Sequence, residues 1–150
     1  EVLKFKSSMS LEERAEIFEK RMQQINDHHV IYDVFVEQPA MMFRGGKTTA
    51  FTMATLQRFN GMTCYIAYKV FEMEAELVNP LSARSVLGIK VPRGIPPKDK
   101  KRFIIERMAE RFDGSFKYEM TRQQNPQPGT DDRADALVVA LAGPLLFHEE

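Results

Sequence analysis

Apolar and polar residues change their period along this chain, and the changes divide it into segments. Val2 to Lys6 alternates apolar with charged positions, the two-residue period of a half-exposed edge strand. Leu11, Ala15, Phe18, Met22 and Ile25 then recur at spacings of three and four, which predicts an amphipathic helix to about Gln24. Ser10-Leu11-Glu12-Glu13 at its start is a capping box. Val30 to Val36 reads as a buried strand, and the helical patterns on either side of it favour a sheet covered on both faces. Gly45-Gly46 breaks the chain, Thr48 or Thr49 can cap a further helix, and Asn60-Gly61 predicts its end. Met62 to Phe71 reads as a second apolar strand and Glu74 to Val78 as a third.

Asn79-Pro80 places a proline at the first position of a short helix that Gly88 ends. Val91 to Pro97, with its three prolines and one glycine, predicts a loop. Lys98 to Phe112 follows as a helix with Phe103, Ile104, Met108 and Phe112 inward, and its first turn is basic: Lys98, Lys100, Lys101 and Arg102. A polar approach from Asp113 to Gly129 leads into the last helix, Thr130-Asp131-Asp132-Arg133-Ala134-Asp135 and then Ala136-Leu137-Val138-Val139-Ala140-Leu141-Ala142.

Composition narrows the function classes. Lys plus Arg equals Asp plus Glu at 21 each, so no global field draws the chain to nucleic acid and any such binding must rest on local clusters. One such cluster is the basic start at Lys98, Lys100, Lys101 and Arg102; another is Arg44-Gly45-Gly46-Lys47, whose glycines would let a sugar-phosphate backbone approach closely. The single cysteine, Cys64, excludes a disulfide framework and suggests a reducing, intracellular compartment. No apolar run long enough for a membrane span and no zinc signature is visible, and His28-His29 reads as a solvated junction.

The chemistry concentrates at the last helix. Its continuation is written to be buried, yet Asp132 and Asp135 lie on one face of its first turns, and carboxylates are tolerated there when they hold a cation or a proton that matters. Asp131 has the plainer reading of an acidic residue complementing the helix dipole. Upstream, the run Val34-Phe35-Val36 ends abruptly in Glu37. A strand-end glutamate with a helix-start aspartate pair has the composition of a hard-cation site.

In order and spacing these features resemble the RuvC-type Holliday junction resolvases of the RNase H-like nuclease superfamily. The likeness runs over residues 28 to 142: the acidic strand end at Glu37, the basic Gly-containing loop and helix from Arg44 to Asn60, the short helix after Asn79-Pro80, a basic helix, and the closing Asp132 to Leu137 helix. The resemblance implies an RNase H-like α/β fold, a mixed β-sheet flanked by helices on both faces, in a single nuclease domain. It implies Mg²⁺, with Mn²⁺ as a substitute, held by Glu37, Asp132 and Asp135, and Arg84, Lys98 or Lys100 neutralising the phosphate in catalysis. It also implies a homodimer, the helix ending at Asn60 serving as dimer helix, and branched DNA in the form of a four-way junction as the partner. The family's first strand bears a further metal-binding Asp that nothing before residue 28 supplies, so the sequence is expected to begin after that hairpin. Two alternatives share these residues: another RNase H-like nuclease or an integrase, and a DNA-binding or scaffold relative that has lost cleavage.

Overall fold

A computed structural model describes residues 1–39 and 50–148 of the chain. They form two compact units, one spanning Leu3–Leu77, the other joining Glu1–Val2 to the residues from Val78 on.

In the first unit, helix α1 covers Leu11–His28. The capping box forms as written: Ser10 Oγ accepts from the Glu13 amide at 3.1 Å, and Glu13 Oε2 accepts from the Ser10 amide at 2.7 Å. The helix passes Gln24 because the ladder continues to the His29 amide, which donates to Ile25. His28 Nδ1 donates to the Gln24 carbonyl at 2.7 Å, a helix-end role for that imidazole. The stripe Leu11, Ala15, Phe18, Met22 and Ile25 is half-buried while the positions between are mostly exposed.

Helix α2, Ala50–Phe71, overturns one expectation. Met62 to Phe71 is not a strand but the second half of this helix, and Asn60-Gly61 does not stop it. Helical spacing puts Ile66, Ala67 and Val70 on one buried face, and that burial outweighs the strand preference of the β-branched and aromatic residues around them. The Asn60 side chain, free of any capping task, donates to the Glu37 carbonyl at 2.9 Å. Phe5 meets the Phe59 ring edge-on at 6.1 Å, and Asn26 Nδ2 donates to the Val70 carbonyl at 3.1 Å, which ties the last turn of α1 to the last turn of α2.

Strands β1, Phe35–Glu37, and β2, Glu76–Val78, pair in parallel, led by the Glu76 amide donating to Val34 at 2.9 Å. The RNase H-like mixed sheet with helices on both faces is therefore corrected. Among the described residues the chain is mostly helical, and its sheet is limited to these two strands of three residues each. Val2 to Lys6 has no regular structure, and of Val30 to Val36 only Phe35 and Val36 are strand, with the Val34 carbonyl accepting just ahead of them.

The second unit is three helices: α3 (Pro80–Val86), α4 (Pro97–Arg111) and α5 (Thr130–Phe147). Asn79 Oδ1 caps α3 by accepting from the Leu81 and Ser82 amides at 2.9 and 3.2 Å. On α5, Thr130, Ala134, Val138 and Ala142 recur every four residues and are all buried, against α3 on one side and α4 on the other. Ala83, Ala134 and Ala142 are fully buried, and such small side chains let helices approach closely. Ile104, Ile105 and Met108 of α4 complete this core with Val78 and Phe116. Gly129 opens α5 at φ +88°, and Val2 packs 3.4 Å from where a Cβ on that residue would stand.

No helix among the described residues is long and apolar enough to cross a membrane. The continuity of α2 has a direct check. No atom lies within 4 Å of where a Cβ on Gly61 would stand. Gly61→Ala should then stabilise the chain by about 0.5–1 kcal/mol in thermal unfolding. A helix that ended at Asn60 with Gly61 in a left-handed cap would make the same substitution destabilising.

Candidate functional site

The start of α5 gathers charge from all three helices of its unit. Arg84, in the last turn of α3, donates from Nη2 to Asp135 Oδ1 at 3.1 Å. Both side chains are largely shielded, at 26% and 33% exposure, which makes this more than a loose surface pair. Arg84 Nε is buried and has no hydrogen-bond partner among the described residues, an uncompensated donor beside the carboxylates. Lys101, one turn into α4, donates from Nζ to Asp131 Oδ2.

Electrostatics tie the group together. The hydrogen bond it donates to Asp131, followed by that residue's charge and those of Asp132 and Asp135, holds the Lys101 ammonium above its ordinary range. The Lys101 hydrogen bond, outweighing partial burial, holds the Asp131 carboxyl below the usual carboxylate range, and amides of the first turn help. Asp131 and Asp135, four apart, are thus the carboxylates of α5 that engage cations from neighbouring helices, whereas Asp132 is exposed. The sequence assigned Asp131 only to the helix dipole. Its larger part depends on Lys101, thirty residues earlier, which no local pattern reveals.

The other predicted residues fall as follows. Glu37 ends β1 in the first unit, exposed, its carbonyl bonded to Asn60. Asp132 and Asp135 belong to the second unit. Lys98 and Lys100 stand exposed in the first turn of α4 with no ion pair among the described residues, while Arg102 pairs with Glu106 at 3.0 Å. Arg44, Gly45, Gly46 and Lys47 lie outside the described residues. Burial raises the Cys64 thiol, which argues against a thiolate nucleophile there.

The donor chemistry of α5 suits a hard cation in one respect. Mg²⁺ is commonly bound through one or two carboxylates, waters and substrate phosphate, and Asp132 and Asp135 offer such oxygens a turn apart. Among the described residues no group of three or more His, Cys, Asp or Glu side chains is placed to hold a metal. In comparisons with protein-family models, curated proteins and solved structures, the chain matches none.

The Asp131–Lys101 pair should leave a signature in stability against pH. Asp131 titrates below its unfolded value, so its contribution is full above the unfolded carboxylate pKa and is lost as pH falls through the lower folded value. Lys101 titrates above its unfolded value, so its contribution is present below the unfolded lysine pKa and is lost as pH rises through the folded one. With Lys101 mostly exposed, solvent screening limits the pair to no more than about 1 kcal/mol. Asp131→Asn should cost that much at neutral pH in urea unfolding and nothing once the medium is acid enough to protonate the folded wild type. An equal cost at both would deny the ion pair.

Proposed function

We propose that this chain carries the acidic helix of a Mg²⁺-dependent endonuclease that resolves four-way DNA junctions. The observation behind the reading is the convergence of Arg84 and Lys101 on the carboxylates at the start of α5. Phosphodiester cleavage needs anionic oxygens for a hard cation and, beside them, fixed positive charge for the phosphate. Both kinds stand here together. The order of acidic, glycine-containing and basic segments along the sequence supports the same assignment.

Bound at Asp132 and Asp135, Mg²⁺, or Mn²⁺ in its place, would polarise the scissile phosphate and lower the pKa of a water. The chain's own residues do the rest. Arg84 and Lys101 neutralise Asp135 and Asp131 without metal, and can donate to phosphate oxygens when the carboxylates are engaged elsewhere. Lys98 and Lys100 extend positive charge along the first turn of α4 for backbone phosphates, which position a duplex without reading its sequence. Paired nicks at a symmetric junction require two copies of the chain about a twofold axis.

The same ion pairs favour a second reading. Carboxylates already neutralised by Arg84 and Lys101 hold three helices in register and need no metal, as in a DNA-binding relative without cleavage.

Cleavage separates the two. In the full-length protein, Asp132→Asn or Asp135→Asn should lower Mg²⁺-dependent cutting of a four-way junction by on the order of 10²-fold or more. Junction affinity in a gel shift should be kept. Equal cutting of the junction and a linear duplex of the same sequence would sink the resolvase assignment, and binding without cutting by the wild type would establish the second reading.

A further inference from the structure

A cleft of ≈ 420 Å³ lies between the chain leaving α3 and one side of α4. Its charged lining is Lys90, Arg107, Arg111 and Glu110. Glu110 is already taken by Arg107 Nη1 at 2.7 Å, and neither Lys90 nor Arg111 has an ion pair among the described residues. The cleft is therefore positive, in a chain whose formal net charge is zero. It also offers a flat surface. The Arg107 guanidinium lies over the Phe103 ring at 5.0 Å, and that ring is only partly buried. On the opposite wall Gly88, at φ +70°, puts no side chain into the opening, and nothing lies within 4 Å of where its Cβ would stand.

Uncompensated cations beside a planar stacking surface are the two elements of single-strand recognition: the cations track phosphates, and bases stack on aromatic or guanidinium planes whatever their sequence. The volume falls in the range of small-ligand clefts, roughly 300–1,000 Å³, which suits one nucleotide of a strand and not the flank of a duplex. An acidic peptide would use the charge but has no need of the stacked plane. We propose that this cleft holds a single strand of nucleic acid, its phosphates on Lys90 and Arg111 and one base stacked on the Arg107–Phe103 pair. The proposal rests on the DNA-binding reading for the class of partner, and cleavage plays no part in it.

The test is fluorescence anisotropy of a labelled oligothymidylate with the intact chain, in chelator so that no metal chemistry intervenes. Lys90→Gln and Arg111→Gln should each weaken binding several-fold at low salt and reduce the slope of log affinity against log salt by about 0.7. Phe103→Leu, which keeps an apolar side chain but removes the ring, should weaken binding roughly tenfold with the slope unchanged. Lys117→Gln, at an exposed lysine outside the cleft, should change neither. The Lys90 and Arg111 variants alter exposed charge only, so they remain decisive should the Phe103 variant unfold by circular dichroism. Unaltered binding in the Lys90→Gln, Arg111→Gln double variant would overturn the proposal, as would no oligothymidylate binding by the wild type. Displacement by polyglutamate as effective, charge for charge, as by unlabelled oligothymidylate would overturn it in favour of an acidic peptide. Loss of junction cleavage elsewhere would leave every one of these readings unchanged.

Discussion

Helix α5 has to keep one face dry along Thr130, Ala134, Val138 and Ala142 while its first two turns carry Asp131, Asp132 and Asp135. A carboxylate near a dry face is tolerated only with a charge partner, and Arg84 and Lys101 supply partners from α3 and α4. The two demands have different sizes. Fully burying a side chain such as Val138 or Met108 stabilises by about 1.5–3 kcal/mol, whereas a partly exposed ion pair contributes about 1 kcal/mol or less. Packing therefore decides whether the three helices assemble, and the ion pairs decide where their polar ends meet. Truncating an apolar side chain of the stripe would therefore cost more stability than removing a charge from the rim.

Local signals in the sequence were legible where their partners are near in the chain. Ser10 and Glu13 are three apart, Asn79 caps amides two and three residues on, and the start of α5 at Thr130 follows a turn-rich approach; each forms where the sequence places it. The second half of α2 was not legible. Tyr65, Ile66, Tyr68, Val70 and Phe71 have the composition of a strand, and Asn60-Gly61 has that of a helix stop, but burial of Ile66, Ala67 and Val70 on one face prevails. With that run helical, the sheet lost a strand and the expected fold class went with it. At the candidate site the acidic helix and the basic turn of α4 could be read individually. Their pairing through Lys101 and Asp131, and that of Arg84 with Asp135, spans 30 and 51 positions and is set by tertiary packing.

Charge on this chain is balanced in total and uneven in place. Several cations are cancelled by close anions: Lys69 by Glu19, Arg102 by Glu106, Arg107 by Glu110. What is left uncancelled in the second unit includes Lys90, Lys98, Lys100 and Arg111, all on α4 or the chain leading to it. At physiological salt a charge is felt over about 8 Å, so these residues act on a ligand already at the surface and do little to draw one from a distance. They would therefore add little to the rate at which an anionic ligand arrives and act mainly on how long it stays.

The seat of Val2 against Gly129 has a topological side. It makes the second unit discontinuous in sequence: Glu1–Val2 belong to it, residues 3–77 belong to the first unit, and the chain returns at Val78. The second unit is therefore not whole from residue 78 onward, because the cover over Gly129 comes from Val2.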